Sequence, residues 1–230
     1  MLWSLGAPIS FAGFVLSFFL ALVVRTIAVR ATQRALGVHF RPPAVGFNPR
    51  HDIDVFGVVA MLIGAMGWGK GLDVDELPPR FGRGRRVAVY AAGPLSVLLL
   101  SQLVLLVFAL GFPGDRQYLL GASPASVVSG LFISAQGGNP VAEFIAAVGV
   151  GLFAFALFDL IPLPPLDGWG ILWCSLRNPS SAAQTARLWL VEKNLGVVIL
   201  FVIQLFPYGG GMAWVLLHVI GSPLLRPWAW

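Results

Sequence analysis

Among the charged residues inside or beside long apolar stretches of this sequence, three are candidates for a site: Arg25, Asp159 and Asp167. A charge at bilayer depth is costly unless it is paired, so such residues point to a site rather than a surface. The segment FDLIPLPPLDGWGIL, residues 158–172, holds two of them. Its prolines and glycines break the end of an apolar run around a carboxylate. From the residues alone it reads in two ways: a rigid, irregular span end that presents Asp167, or a helix-terminating loop in which Asp167 caps backbone amides. Helix-borne metal chemistry has little to work with. The histidines are His39, His51 and His218, so there is no His-x-x-x-His pair. The single cysteine, Cys174, forbids an internal disulfide and a cysteine-based zinc site.

The elements that must position these residues are apolar helices. The run 8–24 predicts a membrane span that continues into TIAVRATQRALG. There Arg25, Arg30 and Arg34 recur every four to five residues and predict one face of a helix leaving the membrane. Ile53–Trp68 is short and lies between two basic clusters, so a re-entrant hairpin competes with a true span. Val87–Phe112 has no charged residue and is the clearest span; Val141–Ile161 is the next. Residues 162–195 form a polar connection in which 180–193 suggests a surface amphipathic helix. The last apolar region, Leu195–Leu225, is interrupted by PYGGG at 207–211 and reads as one kinked span or two. The expectation is a single all-α membrane domain over 1–230, a polytopic transmembrane helix bundle of about four to six membrane segments.

Composition agrees. The chain is 57% hydrophobic and 11% charged, with a mean hydropathy of +0.84. That excludes an ordinary soluble domain, in which about a quarter of residues are charged, and it excludes disorder. Eight tryptophans suit a membrane interface. The net charge of +5 is concentrated in two stretches. Arg25, Arg30, Arg34, Arg41 and Arg50 fall in 25–52, and Lys70, Arg80, Arg83, Arg85 and Arg86 in 69–86. Residues 113–138 have only Arg116, offset by Asp115. Positive loops stay cytoplasmic, so both clusters are expected on that side and 113–138 outside. Topology thus accounts for the charge without nucleic-acid binding. The N-terminus lacks the basic start of a cleavable signal peptide, so the first apolar stretch is expected to be retained.

Several motifs resemble those of the site-2 protease family of intramembrane zinc metalloproteases. Asp159-Leu-Ile-Pro162-Leu-Pro164-Pro165-Leu166-Asp167-Gly168 resembles the family's N-x-x-P-x-P-P-L-D-G, with Asp159 in place of Asn. Gly67-Trp68-Gly69-Lys70 is similar to its G-W-x-K-P, with Gly71 for Pro. Ala92-Gly93-Pro94-Leu95-Ser96 is similar to A-G-P-x-S-N, with Val97 for Asn. Asn48-Pro49, Ile53-Asp54 and Gly57 resemble N-P-x-x-H-I-D-P-x-G, with Asp52 for His and Val55 for Pro. The segments follow family order across residues 20–175, which marks 1–175 as the family-like core. Residues 176–230 then hold the surface helix and the C-terminal membrane segment or segments.

The resemblance implies that Asp167 matches a zinc ligand, and that H-E-x-x-H should fall at 25–29, counting back from Leu36-Gly37. The sequence there reads Arg25-Thr26-Ile27-Ala28-Val29. Arg stands for the first His, Thr for the general base and Val for the second His. A guanidinium cannot deprotonate to bind a metal, so no metal or other cofactor is expected and the site is expected to be degenerate: Arg25, Thr26, Val29, Asp159 and Asp167. If the family's backbone is kept, Arg25 and Asp167 pair where zinc would sit; the bland alternative has Arg25 snorkelling to the interface and Asp167 capping a turn.

The functional expectation is a catalytically inactive, site-2-protease-like protein of the bacterial inner membrane. It would act as an accessory or structural subunit that binds transmembrane helices of other proteins. Ala146, Ala147, Gly149 and Gly151 offer close helix contacts for such a partner, or for packing inside the bundle. One alternative is an active zinc metalloprotease with atypical ligands drawn from His51, Asp52 or Asp54. The other is a small transporter or channel, for which Val87–Phe112 offers only Ser96, Ser101 and Gln102 as polar groups. The tail Arg226-Pro227-Trp228-Ala229-Trp230 suggests an interfacial anchor.

Overall fold

A computed structural model describes residues 8–37, 46–64, 66–77, 81–119, 137–205 and 219–229. The longer helices are α1 (Pro8–Ala35), α2 (Pro49–Asp52), α3 (Val55–Gly64), α4 (Arg83–Gly111), α5 (Pro140–Asp159), α6 (Asp167–Ser175), α7 (Ser181–Arg187) and α8 (Leu195–Leu205). Among the described residues there is no strand, only an isolated antiparallel bridge between Ile53 and Gly69. Helices α1, α4 and α5 have 28, 29 and 20 residues and are apolar enough to cross a membrane. At about 1.5 Å per residue even the shortest reaches about 30 Å, the thickness of the hydrocarbon core. The chain is an all-α integral membrane protein.

Helix α5 is the centre of the bundle. Between Glu143 and Asp159 it is apolar all round, and every residue from Ala146 to Ala156 is buried, as expected of a helix segment with no polar face. Gly13 meets Ala147, Ser17 meets Gly151, and Arg25 meets Asp159 at a sequence separation of 134, so α1 and α5 run parallel. Leu105 meets Gly149, whereas Gly93 meets Arg25 and Val29, so α4 runs antiparallel to both. The small residues of α5 are therefore used within the bundle, where they let α1 and α4 approach closely. A Cβ on Gly151 would lie 2.1 Å from Ser17 Oγ. Gly151→Val should lower stability by about 1–3 kcal/mol through overpacking, read as a lower thermal midpoint in detergent; an unchanged midpoint would show that α1 can move aside.

The chain between α2 and α4 turns back on itself. Helix α3 has 10 residues, about 15 Å, too short to cross. Beyond it Gly69 bridges Ile53, and Lys70 N–H donates to the Asp52 carbonyl at 2.9 Å. This is the hairpin geometry rather than the span. Two glycines permit it: a Cβ on Gly57 would lie 1.9 Å from the Trp68 oxygen, and one on Gly67 2.1 Å from the Gly57 oxygen. Helix α8 closes over the hairpin. Trp68 stacks on Phe158 and meets Phe201 edge-on, with centroids at 6.5 and 5.7 Å. With its amide nitrogen turned inward, Gln204 donates to the Ala60 and Met66 carbonyls at 3.2 and 2.8 Å.

One expectation is corrected. Arg25, Arg30 and Arg34 do not line one face, because at about 100° per residue Arg25 and Arg34 lie half a turn apart. Arg25 turns into the bundle, Arg30 pairs with Asp52, and Arg34 is exposed. The C-terminal tail packs on its own bundle: Trp228 Nε1 donates to Gln102 Oε1 at 2.9 Å, and Leu225 is buried. The PYGGG stretch and Trp230 lie outside the described residues.

Candidate functional site

The site forms where four helices meet. Helix α1 supplies Arg25 and, one turn on, Val29; α5 ends on Asp159; α6 begins on Asp167; α4 supplies Gly93. The residues between α5 and α6 make a tight, internally bonded turn. Ile161, Leu163 and Leu166 N–H donate to the carbonyls of Phe158, Ile161 and Leu163, and the Pro164–Pro165 bond is cis. Gly168 lets α6 fold back against that turn, for a Cβ there would lie 2.2 Å from the Leu160 oxygen. Asp167 is the first residue of α6, but Leu166 occupies the cap position, so its carboxylate caps nothing and points into the bundle.

Arg25 binds both carboxylates. Its Nε donates to Asp167 Oδ2 at 2.8 Å and to Asp159 Oδ2 at 3.0 Å, and its Nη2 donates to Asp167 Oδ1. The Nη1 group donates to the Lys70 carbonyl at 3.3 Å. Asp159 Oδ1 also accepts from the Asp167 backbone N–H at 3.2 Å. Exposure is 4% for Arg25, 1% for Asp159 and 2% for Asp167, so the guanidinium does not snorkel. A fork of this kind is the strongest pairing two side chains can make, and burial makes every member depend on the others.

Gly93 makes the room. A Cβ there would lie 2.6 Å from Asp167 Oδ2, 2.9 Å from Arg25 Cγ and 3.2 Å from Val29 Cγ2. Positions 25, 29 and 167 therefore converge on one point. Val29 is buried with Val89, Tyr90, Leu77 and Cys174, and Thr26 beside it is half-buried.

The two aspartates of the stretch that resembles N-P-x-x-H-I-D-P-x-G are engaged elsewhere. Asp52 takes both Nη groups of Arg30 and the backbone N–H of Asn48. Asp54 accepts from Trp68 Nε1 at 3.0 Å and from Phe56 N–H at 2.9 Å. His51 is exposed, and His39 and His218 lie outside the described residues. No group of three His, Cys, Asp or Glu is placed to hold a metal among the described residues. The donor set thus does not fit zinc, which needs about three neutral or anionic protein ligands; two carboxylates sharing a permanent cation do not provide them.

Sequence reasoning did not see Gly93 as the space-maker, the Lys70 carbonyl as a partner of Arg25, or the Arg30–Asp52 pair. The Ala92-Gly93-Pro94 motif carried a signal for the first. Nothing local marked the other two. Nearby, Cys174 is buried; burial pushes its thiol up, with Arg86 pulling the other way. Cys174 should resist alkylation at pH 8 in the folded protein and react once denatured, a difference that intact-mass measurement reads directly.

No family model matches the chain, and no solved structure matches it. It is 28% identical over 182 residues to a protein of Bacillus subtilis (strain 168) named "Putative zinc metalloprotease YwhC". The aligned region covers 78% of this chain and 73% of the relative. That similarity supports the family resemblance carried by the motifs. It does not say whether this chain keeps the chemistry.

Proposed function

We propose that this chain is a catalytically inactive, site-2-protease-like membrane protein whose metal has been replaced by the guanidinium of Arg25. The carrying observation is the convergence of positions 25, 29 and 167 beside Gly93, where the side chains are Arg, Val and Asp. Two histidines one turn apart and an aspartate would bind zinc there. Here Arg25 and Asp167 bind each other, and Val29 offers no ligand. The buried Asp167 still has a cation, so the scaffold is held together without a metal.

We infer from this an accessory or structural role, in which the bundle holds transmembrane helices of partner proteins in a complex of the bacterial inner membrane. The small residues of α5 are already in use, so the partner surface is the outer apolar stripe of α4: Leu95, Leu99, Leu103, Leu106 and Leu110, all exposed. Among the described residues, the cations of both basic clusters fall towards the end of the bundle where α1 finishes and α4 starts, which favours a cytoplasmic position for that end. The test is the purified chain from native membranes. Stoichiometric partner subunits with no bound zinc and no hydrolysis of membrane substrates are expected. About one zinc per chain with hydrolysis would favour the second reading, an active metalloprotease, to which the similarity with the Bacillus subtilis protein points.

A further inference from the structure

The end of the bundle where α4 begins holds cations that nothing in the described chain answers. Arg83, Arg85 and Arg86 lie in the first turn of α4, which has no acidic residue and no side-chain cap. Cationic side chains at this end of a helix oppose its dipole, so the arrangement is unfavourable within the chain itself. Arg177 belongs to the same end: Cys174 of α6 packs with Val89 and Tyr90 near the start of α4, and Arg177 follows two residues after α6. Among the described residues none of the four pairs with a carboxylate, and the Nε of Arg86 is buried with no hydrogen-bond partner. Arg187 shows the contrast, for it pairs with Asp75 and lies over the Trp173 ring.

Apolar groups on α6 and just past α7, two segments joined by Arg187 lying over Trp173, are exposed as well. Leu172 and Leu176 on and after α6, and Leu188 and Trp189 just past α7, face outward, Trp189 at 54% exposure. Exposed Trp and Leu on segments that pack near the start of a membrane-crossing helix, together with unpaired guanidinium groups there, suit the boundary between acyl chains and headgroups. We propose that this end of the bundle binds anionic phospholipid headgroups. Arg83, Arg85, Arg86 and Arg177 take phosphate oxygens, a geometry that suits the guanidinium fork, while Leu172, Leu176, Leu188 and Trp189 sit among the acyl chains. Charge complementarity selects the occupant: uncharged or zwitterionic lipid would leave the net positive charge unanswered. The proposal goes beyond the loss of the metal site and holds whether or not the chain is a protease.

The experiment uses the purified full-length chain in a neutral detergent. Phosphatidylglycerol, phosphatidylcholine or inorganic phosphate is added at matched concentration, and the thermal midpoint and the lipids retained in native mass spectrometry are read. Phosphatidylglycerol should raise the midpoint and stay bound in excess over phosphatidylcholine, with the excess shrinking as salt rises. Inorganic phosphate should give no comparable shift. The variant Arg83→Gln/Arg85→Gln/Arg86→Gln/Arg177→Gln should lose the phosphatidylglycerol-specific shift while matching the parent in phosphatidylcholine. If that variant does not fold, Arg83→Gln/Arg85→Gln, which alters two exposed side chains only, should at least halve the retained phosphatidylglycerol. Equal retention of the two lipids overturns the proposal and leaves the cluster to an acidic protein partner. A full shift with inorganic phosphate, or an undiminished lipid preference in the variants, overturns it too.

Discussion

Arg25→Leu is expected to destabilise the bundle by about 3–5 kcal/mol, the range for breaking a buried ion pair by removing one partner. The reason is specific to this site. Arg25 is the cation to which both Asp159 and Asp167 are bonded, and both carboxylates are buried. Losing the guanidinium leaves two buried carboxylates that must take up protons or draw in water. The control is Arg25→Leu/Asp159→Asn/Asp167→Asn, in which no buried charge remains. It should regain most of the lost stability, since the amide oxygen introduced by Asp159→Asn can still accept from the backbone N–H of residue 167. Asp167→Asn alone should cost more than Asp159→Asn alone, because Asp167 takes two bonds from Arg25 and Asp159 takes one. Denaturant midpoints in one detergent would measure all four variants. A triple variant no more stable than Arg25→Leu would mean that Arg25 acts through its packing, not its charge.

The long helices were legible because uninterrupted apolar sequence leaves few alternatives in lipid, where backbone polar groups must be satisfied internally. The site was legible in part because Asp167 lies in a motif whose order along the chain fixes which residues lie opposite it. Other features depend on contacts distant in sequence. Whether Ile53–Trp68 crosses or returns is not written in its hydropathy, which suits both; the backbone contacts at Gly57 and Gly67 decide it. Helix α6 falls in a stretch that reads as a polar connection, because prolines and glycines dominate it locally. It forms where Gly170 lets the helix close on the Tyr90 ring, with a would-be Cβ 2.2 Å from that ring. The facing of Arg25 and Arg34 was available all along, since helical rotation alone separates them.

The second large effect is a gain. Arg25→His/Val29→His/Asp159→Asn is expected to bind about one zinc per chain, where the proposed reading expects none in the parent. Positions 25 and 29 are one turn apart, and both reach Asp167 around Gly93, so two imidazoles and one carboxylate would face the same small volume. Histidines at this spacing on a helix suit one metal. Asp159→Asn removes the second carboxylate and restores the residue that the family resemblance places there. Without metal the variant should be less stable than the parent, because Asp167 has lost its cation. Zinc should then restore it. At about 100 times the dissociation constant the ligand adds about 2.7 kcal/mol, which for a chain of this size is a rise of roughly 5–10 °C in the thermal midpoint. Magnesium, which prefers oxygen ligands, should give little shift. A folded variant that shows neither metal in elemental analysis nor a zinc-dependent midpoint would refute the convergence of these three positions, and with it the reading of Arg25 as the metal's replacement. A positive result would separate scaffold from chemistry, with three substituted residues, two in α1 and one at the end of α5, standing between an arginine-closed site and a metal-binding one.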